Sequence, residues 1–191
     1  MTAIPLSIRS TARRNASPII SSGPLQLLAT LLAAASLLAL TAQVVLPLPF
    51  TPVPIVLTCT LAALYGPLLG PKMATLAILT YLAEGALGAP VFSAGGAGLV
   101  HLFGPTGGYL AGYLPGALLS YALYYRLGAG SLSLLISLFI GHFPIYLLGS
   151  LWLSLFVGFK FTLIAGLIPF LPGNFLVCLL LSSCLPTPRS V

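Results

Sequence analysis

Few residues in this chain could do chemistry. In 191 residues there is no aspartate, one glutamate (Glu84) and two histidines, His101 and His142. Paired-carboxylate catalysis, Ser-His-Asp triads and carboxylate-built magnesium sites are excluded on that count alone. Two histidines are too few for a zinc site. The cysteines, Cys59, Cys178 and Cys184, lie inside apolar runs without a Cys-x-x-Cys pair, and read as small buried apolar residues. The glycines between positions 95 and 108 match neither a phosphate-binding loop nor a dinucleotide fingerprint. The expectation is a chain that is not an enzyme, holds no metal or cofactor and does not hydrolyse ATP by itself.

The elements that position these few polar groups belong to a membrane. Hydrophobic residues make up 59% of the chain and charged ones 4%, with a mean hydropathy of +1.14. A water-soluble domain needs roughly 25% charged residues to wet its surface, whereas lipid makes an apolar exterior free of that cost. The formal net charge of +6 does not form a basic stripe with interleaved aromatics, so no nucleic-acid partner is expected. Arg9, Arg13 and Arg14 fall in the N-terminal tail and Arg189 near the C-terminus, while Lys72, Arg126 and Lys160 sit at breaks between apolar runs.

Proline, glycine and charge divide the chain into about six apolar segments. Span one, roughly 25–46, is long enough to cross and is read as uncleaved. It ends at Pro47-Leu-Pro-Phe-Thr-Pro-Val-Pro54, four prolines in eight residues, which cannot continue a helix. Spans two and three, about 55–69 and 73–87, are separated by Gly70-Pro71-Lys72 and closed by Gly88-Ala89-Pro90. A glycine-rich stretch follows from Val91 to Gly108. Spans four and five run about 109–125 and 131–157, and the last segment, 161–185, is interrupted by Pro169 and Pro172-Gly173. It reads as a short surface helix, a turn and a short final span. The fold class expected is an all-α integral membrane protein of about six helices in one bundle. Residues 1–23 form a disordered basic tail and 24–187 the membrane domain. With both termini in the cytoplasm, six of the seven basic residues lie inside and only Lys160 outside, as the positive-inside rule requires. The proline loop, the glycine-rich loop and the Lys160 loop then share the outer face.

Binding is the chemistry left. Polar groups within a bilayer are costly and tend to be functional; Gln43, Glu84, His142, Tyr146 and Asn174 lie in or beside the spans. Glu84 reads either as a ligand contact or proton-sensitive group, or as an interfacial acid with a structural hydrogen bond. His142 and Tyr146, four apart, share a helix face. Backbone in the glycine-rich loop can approach a small ligand closely. Small residues at four-residue spacing, Ala29 with Ala33, Ala35 with Ala39, and Gly108, Gly112 and Gly116, make flat ridges for helix contact, either within the bundle or with another membrane protein.

Five stretches, in order, resemble the BioY family, the biotin-binding S components of energy-coupling-factor (ECF) transporters. They are Pro47-Leu-Pro-Phe-Thr-Pro-Val-Pro-Ile55; Leu69-Gly-Pro-Lys72; Tyr81-Leu-Ala-Glu-Gly-Ala-Leu-Gly-Ala-Pro-Val-Phe-Ser-Ala-Gly-Gly96; Gly104-Pro-Thr-Gly-Gly-Tyr-Leu-Ala-Gly112; and Pro169-Phe-Leu-Pro-Gly173. The resemblance implies a multi-pass subunit of the bacterial cytoplasmic membrane that captures biotin from outside. A transmembrane coupling subunit and two ATPases, which use the ATP, would be its partners. It implies substrate contacts at Glu84, Phe92, Gly95, Gly96, Tyr146 and Asn174, and docking to the coupling subunit at Ala29, Ala33, Ala35 and Ala39. A stand-alone carrier, a transporter of a related ligand and a non-transporting scaffold are the alternatives.

One motif departs from the family pattern. Where that pattern has Pro-Gly-Asp and, three residues later, Lys, this chain has Pro172-Gly173-Asn174 and Val177. Acid and base are lost together, which keeps the local charge balanced. Either the carboxylate of biotin is met by another cation, Lys160 being the basic residue expected outside, or specificity has shifted toward a related or less charged ligand.

Overall fold

In the computed structural model the described residues are 23–47, 52–162, 166, 168 and 170–185. The expected N-terminal tail, residues 48–51 of the proline loop, Pro169 and Arg189 lie outside them. The elements are α1 (Pro24–Gln43), the short strands β1 (Val45–Leu46) and β2 (Ile55–Val56), α2 (Thr58–Ala86), a 3-10 turn (Ser93–Gly95), α3 (Gly98–Leu102), α4 (Gly107–Arg126), α5 (Ser131–Val157), α6 (Phe159–Thr162) and α7 (Phe170–Cys184). The strands pair antiparallel, Val45 with Val56 and Leu46 with Ile55.

Helix α2 is a hairpin. Gly70 has φ 78° and ψ 167°, a backbone state foreign to a helix and open to glycine, and Pro71 follows it. The Cys59 thiol donates to the Tyr113 hydroxyl at 3.7 Å, and the Tyr81 ring stacks on the Tyr113 ring with centroids 6.5 Å apart. In a straight helix, 22 residues from Cys59 to Tyr81 would span about 33 Å. The segments 58–69 and 71–86 therefore run back along each other, and the break falls where Gly70-Pro71-Lys72 placed it.

Close backbone approach builds the centre of the bundle. A Cβ at Gly112 would lie 2.5 Å from the Ile145 Cα, and one at Gly116 would lie 2.8 Å from the Gly141 carbonyl oxygen. The ridge of α4 is thus used internally, against α5, where van der Waals contact between backbones replaces the hydrophobic drive that lipid removes. On α1 one face, Ala34, Ala35, Leu38 and Ala42, packs on α2, and the Tyr65 hydroxyl donates to the Ala34 carbonyl at 2.6 Å. The opposite face exposes Leu25, Leu28, Leu32, Leu37 and Leu40.

Among the described residues α1 and α5 are each long and apolar enough to cross a membrane, α2 reaches that length only across its reversal at Gly70, and α7 is a shorter apolar helix. Large exposed apolar residues cover α5 as well, including Phe139, Phe143, Leu147, Leu151 and Leu155. With this outward apolar surface the chain is an all-α integral membrane protein. The last segment differs from the sequence expectation in one respect. Pro172-Gly173 does not interrupt it, because α7 already begins at Phe170. Pro172 then stands in the first turn, where no intrahelical N–H bond is forfeited.

Candidate ligand-binding site

The glycine-rich segment folds into a roof held at both edges. Gln43, the last residue of α1, uses its whole amide. Nε2 donates to the Phe92 carbonyl at 3.1 Å and lies 3.4 Å from the Pro90 carbonyl, while Oε1 accepts from the Gly95 N–H at 3.0 Å. On the other side the Trp152 indole of α5 donates to the Gly104 carbonyl at 2.9 Å. Ala94, φ 55°, and Gly95, φ 72°, turn the chain sharply enough to present that N–H to Gln43.

Phe92 is the inward-facing plug of this roof. It is fully buried, edge-on to Tyr81 with centroids 5.5 Å apart and stacked on His101 at 5.3 Å. It covers Gly85, where a Cβ would run into the Phe92 ring. His101 Nε2 lies 3.4 Å from Ser93 Oγ and 3.3 Å from Thr106 Oγ1. Burial, with no charged partner, holds His101 below its ordinary value of 6.5, so the ring is neutral at pH 7.

Beneath the roof is a chamber of about 30 Å³ whose lining includes Cys59, Tyr81, His101, Tyr109, Tyr113 and Phe170. It is room for about one water. Aromatic rings continue from it into the bundle: Phe170 meets Tyr109 at 6.2 Å and Tyr146 at 6.1 Å, and Tyr146 stacks on His142 at 5.7 Å. On the far side of Tyr146 a groove of about 550 Å³ opens between α5 and α7, within the roughly 300–1,000 Å³ of small-molecule sites. Its walls include Phe143, Leu147, Leu151 and Leu171, and its polar residues include His142, Tyr146 and Asn174.

A buried polar centre borders the groove. Thr60 Oγ1 lies 3.1 Å from His142 Nε2 and 3.3 Å from Asn174 Oδ1. His142 Nδ1, 2.7 Å from the Leu138 carbonyl, donates to it, and the single Thr60 hydroxyl proton serves only one of His142 Nε2 and Asn174 Oδ1. In either orientation of its amide, Asn174 keeps hydrogen-bonding capacity that no described residue uses. The Tyr146 hydroxyl is buried with no partner among the described residues. Orphaned neutral polar atoms of this kind suit an uncharged ligand group that both donates and accepts.

The structure brings together some of the sequence-predicted residues and separates others. Tyr146 and Asn174 meet at the polar centre, and Phe92, Gly95 and Gly96 build the roof, where Phe92 N–H donates to the Gly96 carbonyl at 3.0 Å. Glu84 is half-buried at the end of α2 and lines neither cavity; Lys160 is exposed on α6 and lines neither. On α1, Ala29 and Ala33 are exposed, Ala39 is half-buried and Ala35 is fully buried against the bundle. Val177 is half-buried one turn beyond Asn174. Sequence reasoning missed Thr60, Tyr81, Tyr109, Tyr113 and Phe170. The four-residue spacing of Tyr109 and Tyr113 was the one signal pointing to a shared face.

Known proteins resemble the chain along most of its length. The BioY family model matches residues 13–190. A probable biotin transporter BioY from Pyrococcus horikoshii is 42% identical over 120 residues, 63% of this chain and 70% of the relative. One from Rickettsia prowazekii is 35% identical over 142 residues, 72% of this chain and 71% of the relative. Among solved structures, the S-component for biotin from an ECF-type ABC transporter superposes with a TM-score of 0.74 at 26% identity, covering 85% of this chain and 91% of that one. With its order of motifs, its roofed chamber and these likenesses, the chain belongs to the BioY family.

Proposed function

We propose that this chain takes up biotin as the substrate-capturing S component of an ECF-type importer. The observation that carries the reading is the fold shared with a biotin S-component over 85% of the chain. Capture from the outer face follows from the roof, which closes the same bundle end that the charge distribution turns outward. The chain has neither a nucleotide-binding motif nor a catalytic acid pair, so any ATP-driven step belongs to partners. A transmembrane coupling subunit and two ATPases fill that role in this reading, and ATP is used there. The location is the bacterial cytoplasmic membrane, with both termini inside. Ala29 and Ala33, exposed on the peripheral helix α1, are the surface proposed to meet the coupling subunit.

The experiment is biotin uptake into proteoliposomes holding this chain alone, or with an ECF coupling subunit and ATPases plus ATP. Accumulation that needs the partners and ATP supports the reading. Equal accumulation without them makes the chain a stand-alone carrier.

A further inference from the structure

Charge is missing from both ligand spaces. Among the described residues the charged side chains are Lys72, Glu84, Arg126 and Lys160, and none lines the chamber or the groove. Lys72 follows the Gly70 reversal and Arg126 ends α4, so both sit at the bundle end opposite the roof. Lys160 is exposed on α6. Residues 48–51, 163–165, 167 and 169 include no charged type. The remaining cations, Arg9, Arg13, Arg14 and Arg189, belong to the terminal segments. His101, the one base lining the chamber, faces Phe92, Ser93 and Thr106, none of them charged, and is neutral at pH 7.

The polar capacity left over is also neutral: the Asn174 amide and the Tyr146 hydroxyl. A carboxylate brought among these groups would lose its water without gaining a cation, which is costly. An uncharged group with N–H donors and a carbonyl acceptor meets partners there at no such cost. A ligand carrying both must enter with its neutral end inward and its acid end toward water.

We infer that the site recognises the ureido ring of its ligand and pairs the carboxylate with no protein cation, so that carboxyl-blocked derivatives are ligands too. This rests on the biotin reading and defines its substrate class: ureido-ring compounds irrespective of charge at the chain end. The pattern Asn174 with Val177 agrees with it, since neither residue offers a charge.

The test is calorimetric titration of the purified protein with biotin, biotin amide and biotin methyl ester at pH 7.5. The expected result is three dissociation constants within about threefold of one another, less than the tenfold that 1.4 kcal/mol would produce. Biotin binding more than about tenfold tighter than both blocked forms would overturn the inference while leaving the biotin reading intact. Absence of binding by all three defeats the biotin reading itself.

Discussion

Gln43 and Phe92 are 49 residues apart in sequence and joined by a 3.1 Å hydrogen bond from the Gln43 amide nitrogen to the Phe92 carbonyl. Through that bond the end of the first helix sets the height of the roof over the chamber. The Gly95 N–H on Gln43 Oε1 makes the attachment two-sided, so the amide acts as a latch between a rigid helix and a loop.

Gln43→Ala opens the latch without touching the chamber lining. Each bond contributes about 1 kcal/mol net, so affinity for biotin falls about tenfold, mostly through faster release. Stopped-flow binding and dissociation rates check this. An unchanged dissociation rate contradicts the latch.

Gly85 has no room for a side chain because the Phe92 ring fills it. Gly85→Ala pushes the ring off Tyr81 and His101 and costs about 1–3 kcal/mol of stability. Combined with Phe92→Leu, the added methyl is accommodated and much of the loss returns, a coupling that a double-mutant cycle of thermal unfolding measures. Strict additivity of the two losses argues against direct contact.

His101 gives the roof a pH dependence of definite sign. Its closed-state pKa lies below the ordinary 6.5 because burial disfavours the charged ring. The open loop then binds a proton first as pH falls, so closure is at full strength above pH about 6.5 and weakens below it. Biotin affinity is expected to drop between pH 7.5 and 5.5, and His101→Gln to flatten the profile. Tighter binding on acidification would instead mean that a protonated His101 pairs with the carboxylate.

Lys160 tests the charge-free site from the other side. It is exposed on α6 beside Phe159, which lines the groove, without itself lining either space, so Lys160→Ala leaves the biotin dissociation constant within about twofold, the effect of a solvated surface charge. A tenfold loss would reinstate it as the carboxylate partner.

Helix ends were legible in the sequence because they rest on local chemistry. Gly70-Pro71-Lys72 marked the reversal of α2, and the segment 131–157 matches α5 as Ser131–Val157. Pro172 misled for an equally local reason: a proline in a first turn and a proline that breaks a helix look alike without knowing where the helix starts. Of the candidate site, Asn174 and Tyr146 stood out as polar groups in apolar runs, and the glycine-rich loop as backbone able to approach a small ligand. Thr60, Tyr81 and Tyr113 did not, because which face of an apolar helix turns inward is decided by neighbours distant in sequence. Glu84 drew notice as the only acid, and it stands half-buried at the end of α2, lining neither cavity.

The central claim is that this chain binds biotin by itself, with no coupling subunit present. Isothermal titration of the purified protein in detergent tests it most directly. The account predicts saturable binding at one biotin per chain, accompanied by a raised thermal unfolding midpoint. No heat and no thermal shift, from protein that still unfolds cooperatively, would contradict it.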